Sequence, residues 1–462
     1  IRDRFQHSLS SSKKQILNNI HLRFFEGKPL EIVKYNTPLD DQESSLQLNL
    51  FAQETLILSS FLSLYGGLNL ILTRGWIPSP NSEAKNEINW LNLSPRFGFI
   101  LPLSKNKRTA LKLSGARYFF TLPLYLLTSG NPNALGGIAY VWQDRNGDRQ
   151  YEEGEAGALI RREGPFFSEI DPDLKRPYAD ELTLSFVHTF GSDWTFTLAG
   201  FLRETRRLIE TLNIGVPLTS YRSLEFFDIG DDRIPATHDD LAFTVYNQEP
   251  KTLGNDFFLL TNPDSEKRIS RYRGLDLTLV KKNSSRFSFF LSLTATEAIG
   301  TTSPGNSEWE NDDGLAGSLY DNPNASINAK GRLRFDRAYT GRIGFALRLP
   351  FGFESACLIK YYDGQPFARK IIIQGFNQGP FYIQAHPRGI ARYEYNMTVD
   401  VRLEKTLSLG KTSLRIILDG FNIFNQRLAT EENEWTGPEF LLRFATEIQS
   451  PRVFRLGLCY EF

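Results

Sequence analysis

Hydrophobic and polar residues alternate along many short stretches of the chain. In one stretch Leu46, Leu48 and Leu50 share one parity, whereas Gln47 and Asn49 have the other. This alternation places the two rows on opposite faces of a β-strand. The same pattern recurs at 194–198, 275–279, 287–296, 343–349 and 397–404. An all-β chain is therefore predicted.

The alternating stretches predict about fifteen strands, joined alternately by tight turns and long loops. The predicted strands are 14–25, 28–35, 44–54, 60–74, 96–104, 108–119, 180–191, 194–206, 269–281, 286–298, 336–349, 352–363, 393–406, 411–424 and 452–462. The long loops are 120–179, 207–268, 299–335, 364–392 and 425–451. Tight turns on one rim and long loops on the other are typical of outer-membrane barrels.

A large soluble β-sandwich or propeller is the alternative, because it also buries one face of each strand. Nothing in the architecture of a sandwich or propeller requires short and long connections to lie on different rims. We therefore predict that residues 1–462 form a transmembrane antiparallel β-barrel, with 120–179 and 207–268 as long extracellular loops. The predicted location is the outer membrane of a Gram-negative cell.

The C-terminal sequence RVFRLGLCYEF has the same alternation and ends on an aromatic residue. Leu456, Leu458, Tyr460 and Phe462 lie on one face of the predicted strand. Lipid is the expected cover for this row, with the two aromatic rings at the membrane interface. We predict that these four residues form the membrane-insertion surface of the last strand.

Composition excludes several other classes of protein. The 53 basic and 53 acidic residues balance, so a nucleic-acid partner is not expected. No run of about 18 apolar residues predicts a membrane helix. The two cysteines fit neither a disulfide scaffold nor a zinc site. The histidines lack metal-ligand spacing, and no nucleophile elbow or phosphate-binding loop is found. We predict no catalytic residues and no enzyme activity.

Several short motifs stand in order along most of the chain. They are Leu50–Glu54, Ser94–Gly98, Ile170–Tyr178 leading into Glu181, Tyr272–Leu275, Asn324–Asp336, Gly364–Phe367, Phe421–Asn425 and the terminal Phe462. In this order and spacing the chain resembles the TonB-dependent outer-membrane receptors, and within them the Oar-like group. The resemblance implies a barrel of 22 strands around a plug domain, with a short box that engages TonB.

Neither plug, box nor signal peptide is recognised in this sequence, so the resemblance covers the C-terminal portion of such a barrel. An odd count of fifteen strands predicts that the first and last strands run in the same direction, so that the chain starts outside the cell. Subtracting fifteen from 22 leaves about seven, an odd number, which agrees with that start. The missing strands and plug are expected from an upstream segment or a partner chain. Outer-membrane lipid and, by resemblance, TonB are the other expected partners.

One predicted loop has the ligand spacing of a calcium site. In the twelve residues DRNGDRQYEEGE, Asp144, Asn146, Asp148 and Glu155 occupy positions one, three, five and twelve. Arg149 stands at position six, where such loops place glycine. Two interpretations are open: calcium binds and stiffens this external loop, with Glu152 or Glu153 as substitutes for Glu155, or the loop is acidic and solvated without metal.

Two further sets of residues are candidate contacts for a solute. Polar residues with interior parity are predicted to face the lumen: Arg203, Asp276, Arg342, Arg348, Asp400, Arg402, Glu404 and Arg415. They either pair across strands or contact a passing substrate. Loop aromatics are predicted to form a ligand mouth or to anchor loop packing: Tyr140, Trp142, Trp309, Phe376 and Trp435.

The functional prediction is a receptor barrel that takes up a bulky extracellular nutrient through displacement of a plug by TonB. The alternative is a plugless barrel that serves as a scaffold or docking platform for surface lipoproteins. A hydrolase is a third hypothesis, for which the sequence offers no Ser/His/Asp arrangement.

Overall fold

The computed structural model describes residues 2–16, 19–25, 27–37, 39–77, 87–230, 232, 234–263, 270–284, 286–301, 316–410 and 412–462. Strands dominate this part of the chain. None of its helices is long and apolar enough to span a membrane. The predicted all-β class is confirmed.

The strands in chain order are β1 (Arg2–Ile16), β2 (Ile20–Phe25), β3 (Lys28–Tyr35), β4 (Leu39–Ser59), β5 (Leu62–Trp76), β6 (Glu87–Pro102), β7 (Thr109–Phe119), β8 (Gly137–Trp142), β9 (Ala156–Glu163), β10 (Ser168–Ile170), β11 (Tyr178–Phe190), β12 (Trp194–Arg206), β13 (Ile209–Asn213), β14 (Tyr221–Asp228), β15 (Leu241–Gln248), β16 (Phe258–Thr261), β17 (Ser270–Ser284), β18 (Phe287–Thr301), β19 (Ala316–Tyr320), β20 (Lys330–Arg332), β21 (Tyr339–Leu349), β22 (Phe353–Tyr362), β23 (Pro366–Phe367), β24 (Lys370–Ile373), β25 (Phe381–Gln384), β26 (Ala391–Arg392), β27 (Asn396–Leu409), β28 (Thr412–Phe421), β29 (Ala429–Glu432), β30 (Ala445–Ile448) and β31 (Val453–Glu461). One α-helical turn, α1, covers Pro438–Leu441, and short 3₁₀ helices cover Leu124–Thr128, Pro165–Phe167, Leu218–Ser220, Pro250–Thr252, Pro323–Ser326 and Pro350–Gly352.

One large antiparallel sheet contains fifteen strands and forms the wall of the barrel. Its hydrogen-bonded order is β1-β4-β5-β6-β7-β11-β12-β17-β18-β21-β22-β27-β28-β31, and short β20 pairs with β18. Among the described strands, β1 and β31 lie at the two ends of this order and do not pair with each other. The sheet is therefore open.

Tight turns and long loops separate onto the two rims, as predicted. Adjacent strands are joined by short turns in the pairs β4-β5, β6-β7, β11-β12, β17-β18, β21-β22 and β27-β28. The connections on the other rim include the segments 120–177, 207–269 and 422–452.

The predicted positions of the first two barrel strands are wrong. β2 and β3, which overlap the predicted strands 14–25 and 28–35, belong to a separate sheet with β8 and β9. The first barrel strand is instead β1, whose Arg2 lies opposite Gln53 on β4. The polar sequence of β1 shows little alternation, whereas a short loop hairpin alternates as clearly as a membrane strand. The other thirteen predicted strands overlap strands of the large sheet.

This correction also overturns the predicted direction of the first strand. β1 and β31 are the first and fourteenth members of an antiparallel order, so they run in opposite directions. Arg2 consequently lies near the tight-turn rim, beside the end of β4. The expectation that the first strand starts at the loop rim rested on the misplaced strands.

Apolar residues of neighbouring strands lie opposite one another and form a continuous outer band. Leu72 on β5 lies opposite Leu48 and Leu91, and Leu458 on β31 lies opposite Ile416. Leu72, Leu91 and Leu458 are 44%, 67% and 70% exposed. Large apolar residues exposed in a continuous band indicate a surface that hydrocarbon covers.

The long loops fold into a layer of their own. This layer contains the four-stranded sheets β2-β3-β8-β9 and β10-β16-β13-β19 and the hairpins β14-β15, β24-β25 and β29-β30. Buried apolar clusters support it, one around Leu126, Leu127 and Trp90 and another around Val245 and Ile383. The loops thus form an ordered domain at one rim of the large sheet and not a set of separate connections.

The outer band predicts how charge affects barrel stability. Leu198 on β12 is 41% exposed and lies opposite Phe186 and Leu277. Leu198→Arg is expected to lower the free energy of unfolding in lipid vesicles by about 2 to 4 kcal/mol, because it places a charge in hydrocarbon. Thr197→Arg, on the opposite face of the same strand, is the matched control and should lower the free energy of unfolding much less. Equal decreases for the two variants, measured by urea unfolding, would contradict the assignment of the two faces.

Candidate functional site

The predicted lumen residues lie on the face of the large sheet opposite the apolar band, and their partners are on neighbouring strands. Arg203 pairs with Glu181 at 3.5 Å, and Arg348 pairs with Glu354 at 3.0 Å. The Asp276 carboxylate accepts a hydrogen bond from Thr294 Oγ1 at 2.8 Å, and Arg342 Nη2 donates to Tyr362 Oη at 2.7 Å.

The last four strands carry the densest set of ion pairs on this face. Lys360 pairs with Asp400 at 2.8 Å, and Arg415 pairs with Glu461 at 2.5 Å and Glu404 at 3.8 Å. Asp419 lies between Arg402 and Arg455, with both guanidinium groups at 2.6 Å. Sequence analysis missed Asp419, although it shares parity with Arg415. Each of these contacts joins two strands, so the charges bind the polar face of the sheet together.

The motif Phe421–Asn425 closes the loop end of β28. The backbone N–H of Asn422 donates to Asp400 Oδ1 at 2.9 Å, and its side-chain amide donates to the carbonyl of Ser450 at 2.9 Å. Asn422 is buried and has φ of 47°, a left-handed conformation that asparagine tolerates well. This residue therefore joins the wall of the barrel to the end of the last loop.

The predicted calcium ligands lie in one compact loop between β8 and β9. Asp144 Oδ1 and Oδ2 accept hydrogen bonds from the backbone N–H groups of Gly147 and Arg149, at 2.8 and 3.1 Å. Asp148 Oδ1 accepts from the N–H of Gln150 at 2.7 Å, and the Asn146 amide donates to Asp148 Oδ2 at 3.1 Å. Across the part of the chain that the structure describes, no group of three or more His, Cys, Asp or Glu residues is arranged to hold a metal ion.

The fourth predicted ligand faces inward from this loop. Glu155 is buried and accepts hydrogen bonds from the N–H groups of Glu152 and Arg145, both at 3.1 Å, and from Trp142 Nε1 at 3.2 Å. These donors lower the pKa of the Glu155 carboxyl. Arg149, at position six, has φ of 61°, so it adopts the backbone conformation for which calcium loops use glycine.

The four described residues of the predicted aromatic set are divided between different parts of the loop layer. Trp142 is buried against Phe24, with ring centroids 5.2 Å apart, in the sheet β2-β3-β8-β9. Tyr140 lies in the same sheet, beside Lys34. Phe376 packs on the apolar cluster around Ile383. Trp309 lies outside the described residues.

Trp435 is the most accessible of the described aromatic candidates. It is 39% exposed and packs edge-on against Tyr382, with 5.4 Å between ring centroids. Lys370 Nζ lies 5.4 Å from the centre of its indole ring. Trp435 therefore presents a rigid, partly exposed ring at the surface of the loop layer.

An ion-pair network that sequence analysis missed holds the sheet β2-β3-β8-β9 together. Buried Glu31 accepts two hydrogen bonds from Arg161, at 2.6 and 2.7 Å, and Arg23 donates to Glu163 at 2.8 Å. Burial alone would raise the pKa of Glu31, but Arg161 and Arg23 lower it below its ordinary value. These residues are up to 140 positions apart, so local pattern gives no signal for their contact.

Three acidic residues lie close together at the sheet β10-β16-β13-β19, Glu210 within β13 and Asp256 and Asp321 next to β16 and β19. Glu210 Oε2 accepts a hydrogen bond from the N–H of Leu319 at 2.8 Å, and Asp256 accepts from Asn213 and from the N–H of Arg162. Burial raises the pKa of Asp321 to about 7. A hydrogen bond from Thr211 opposes this increase, and the negative charges of Glu210 and Asp256 add to it.

Comparisons with known proteins identify the architecture. A family model described as "Outer membrane beta barrel domain" matches residues 34–372. A search of curated proteins finds no match. The solved structure of the outer membrane transporter YddB from Escherichia coli aligns with a TM-score of 0.50 and 12% identity, over 99% of this chain and 66% of that one. The siderophore receptor PirA from Acinetobacter baumannii aligns with a TM-score of 0.50 and 10% identity, over 99% of this chain and 54% of that one. The chain thus spans between about half and two thirds of the length of these two proteins.

The acidic cluster predicts a pH dependence of the loop layer. Because the folded pKa of Asp321 lies above its unfolded value of about 3.9, its contribution to stability is complete below the unfolded pKa and is lost as the pH rises through about 7. Loop 207–268 should therefore resist proteolysis better at pH 5.5 than at pH 8. Asp321→Asn should remove most of this difference, whereas Asp173→Asn, in an exposed turn, should not. An unchanged pH dependence in Asp321→Asn would contradict the assignment.

Proposed function

The chain belongs to the outer membrane beta barrel domain family, and from this premise we propose that it is the barrel of a TonB-dependent receptor that takes up a bulky extracellular nutrient. The observation that carries the proposal is the order of fourteen consecutive antiparallel strands, with tight turns on one rim and a folded loop layer on the other. The fold resembles those of an outer membrane transporter and a siderophore receptor. Membership of the Oar-like group is a further part of the proposal and is supported by the sequence motifs.

The requirement that a membrane sheet be closed supports the proposal of additional strands. In hydrocarbon the outward N–H and C=O groups of an edge strand have no water to bind, and each unpaired group costs several kcal/mol. β1 and β31 are the two edges of the described sheet. We propose that strands from another segment or chain pair with both, and that the same material brings the plug that TonB displaces.

A scaffold is the second candidate, and one observation favours it. The last loop exposes a cluster of large apolar side chains, with Leu441, Leu442 and Phe444 at 60%, 77% and 58% exposure. Exposed apolar clusters of this kind mark protein interaction sites. In this alternative a surface lipoprotein covers the loop layer and the barrel transports nothing.

Ligand capture followed by uptake separates the two functions. The native receptor complex is incubated separately with mixed peptides, mixed oligosaccharides and ferric siderophores, and retained species are identified by mass spectrometry. We expect one class to be retained by the parent complex, to be lost when loop 207–268 is replaced by a short linker, and to enter cells only while the inner membrane is energised. Retention without energy-dependent uptake, or no retention of any class, would favour the scaffold.

We also propose that the loop 144–155 binds calcium. The ligand spacing supports this proposal, as does the left-handed conformation of Arg149 at position six. Calcium would require the oxygen atoms of Asp144 and Asp148 to exchange some of their present hydrogen bonds for metal contacts.

Protease resistance tests the calcium proposal. Calcium at 1 mM, a concentration of about the order bound by extracellular modules, should slow cleavage after Glu152 and Glu153 by a glutamyl endopeptidase, and EGTA should reverse the effect. The double variant Asp144→Asn and Asp148→Asn keeps an acceptor at each site but removes both charges, so calcium should no longer protect it. A cleavage rate of the parent that does not depend on calcium would exclude the site.

A further inference from the structure

The segment after β7 folds onto the inner face of the barrel wall. Leu126 and Leu127, in the 3₁₀ helix Leu124–Thr128, are almost completely buried, as is neighbouring Leu122. A Cβ atom at Gly75 on β5 would lie 2.5 Å from Leu122 Cδ2 and 3.0 Å from Leu127 Cδ2. A larger side chain at position 75 would therefore require Leu122 and Leu127 to shift away from β5.

Alternating exposure along the strands shows which face the segment covers. On β5, Leu70 and Leu72 are exposed in the apolar band, whereas Ile71, Thr73 and Gly75 between and above them are buried. On β6, Leu91 is 67% exposed and neighbouring Trp90 is 5% exposed. The segment thus covers the face opposite the lipid-facing band, which is the lumen side of the sheet.

One arginine holds the end of the same loop, where the chain returns to the barrel, in place. Arg176, which precedes β11, is 2% exposed. Its Nε donates to the carbonyl of Phe120 at 2.7 Å, and Nη1 and Nη2 donate to Thr73 Oγ1 and Gln47 Oε1 at 2.9 and 3.0 Å. The guanidinium also lies 5.6 Å from the ring centroid of Trp90. One side chain thus joins the start of the loop, the return of the loop and the three barrel strands β4, β5 and β6.

Arg176 lacks the partner that a buried arginine usually has. Within the described residues all its hydrogen-bond acceptors are neutral, and no carboxylate forms an ion pair with it. Burial lowers the pKa of its guanidinium to about 10, so the group stays charged at neutral pH. A buried charge without a counter-ion is less stable than a paired one. When the segment is released, hydration of the guanidinium therefore offsets part of the free energy of the hydrogen bonds that are lost.

We propose that Phe120–Thr128, together with Leu174–Arg176, is an inward-folded constriction at the outer mouth of the lumen, and that Arg176 is the latch that keeps it closed. Trp90 Nε1 on β6 donates to the carbonyl of Leu174 at 2.8 Å, and Arg176 contacts Thr73 on β5. Both parts of the constriction therefore lie against β5 and β6. Release of Arg176 frees the segment to swing outward and widens the mouth. The inference that a solute passes through this mouth rests on the proposed function. The inference that the segment is held closed by Arg176 does not depend on that function.

Cysteine labelling measures the position of the segment directly. In a background with Cys357→Ala and Cys459→Ser, Leu127→Cys is exposed to a membrane-impermeant maleimide on intact cells that carry the native complex. We expect Leu127→Cys to react at least ten-fold more slowly than Leu442→Cys in the exposed last loop. Adding Arg176→Ala should raise the Leu127→Cys rate at least ten-fold and leave the Leu442→Cys rate unchanged.

Two further variants separate release of the latch from misfolding. Thr73→Val removes one acceptor of Arg176 and should raise the labelling rate less than Arg176→Ala does. Arg108→Ala removes an exposed arginine in the tight turn between β6 and β7, at the other rim, and should leave the rate unchanged. Heat-modifiable migration in gels checks that every variant retains a folded barrel, and only variants that pass are compared. Slow labelling of Leu127→Cys in both Arg176→Ala and Thr73→Val, or fast labelling in the parent, would overturn the proposal.

Access of a bulky probe to the lumen wall near the loop rim tests the consequence for the mouth. In the same cysteine-free background, Arg203→Cys, close to the loop end of β12, should react with a bulky impermeant maleimide at least four-fold faster when Arg176→Ala is added, and no faster when Arg108→Ala is added. Faster labelling of Leu127→Cys without faster labelling of Arg203→Cys would overturn the assignment of the segment as a constriction. Failure of the nutrient-capture experiment would not alter the labelling result, so the two proposals can fail independently.

Discussion

Backbone hydrogen bonding in the absence of water is the constraint on which the rest of this structure depends. Inside hydrocarbon every N–H and C=O group needs a partner in the protein, and an antiparallel sheet provides one between neighbouring strands. The fourteen consecutive strands satisfy this requirement along the whole wall except at β1 and β31. The period of two then assigns one side of each strand to lipid and the other to the lumen. Exposed Leu72 and Leu458, and the ion pairs of Asp419 on the opposite face, follow from that single rule.

The loop rim obeys a different rule, because water is available there and the strands no longer need to remain in one sheet. Its segments instead bury apolar side chains in small clusters and pair their charges, as Arg161 does with Glu31. One of these clusters extends from the loop layer onto the lumen face through Leu126 and Trp90. Wall and loop layer therefore share a core, which gives the loops a means of influencing the mouth of the barrel.

The sequence predicted the barrel wall well, because the alternation of residues such as Leu198 and Thr197 is a local signal that each strand carries by itself. It failed for β1, where a polar sequence pairs in register with β4 but does not alternate clearly. It also placed the hairpin β2-β3 in the wall, since alternation does not distinguish a loop sheet from a membrane sheet. The contacts of Arg176, Glu31 and Asp321 join segments far apart in the chain, and no local pattern indicates them. The lumen residues were assigned by their parity along a strand, and the ligand residues by their amino-acid type. Parity predicts the face of a strand on which a residue lies, but neither signal predicts the partner of a side chain.

We infer that this sheet spans the outer membrane with its long loops outside the cell. The most direct measurement is the reactivity of single cysteines towards an impermeant maleimide, in the background that lacks Cys357 and Cys459. Cysteines at Phe227 and Leu442 represent the loop rim, and cysteines at Lys105 and Ser192 represent the tight turns. The first pair is expected to react on intact cells, and the second pair only after the outer membrane is permeabilised. Reaction of the tight-turn cysteines on intact cells, with the loop cysteines protected, would contradict it.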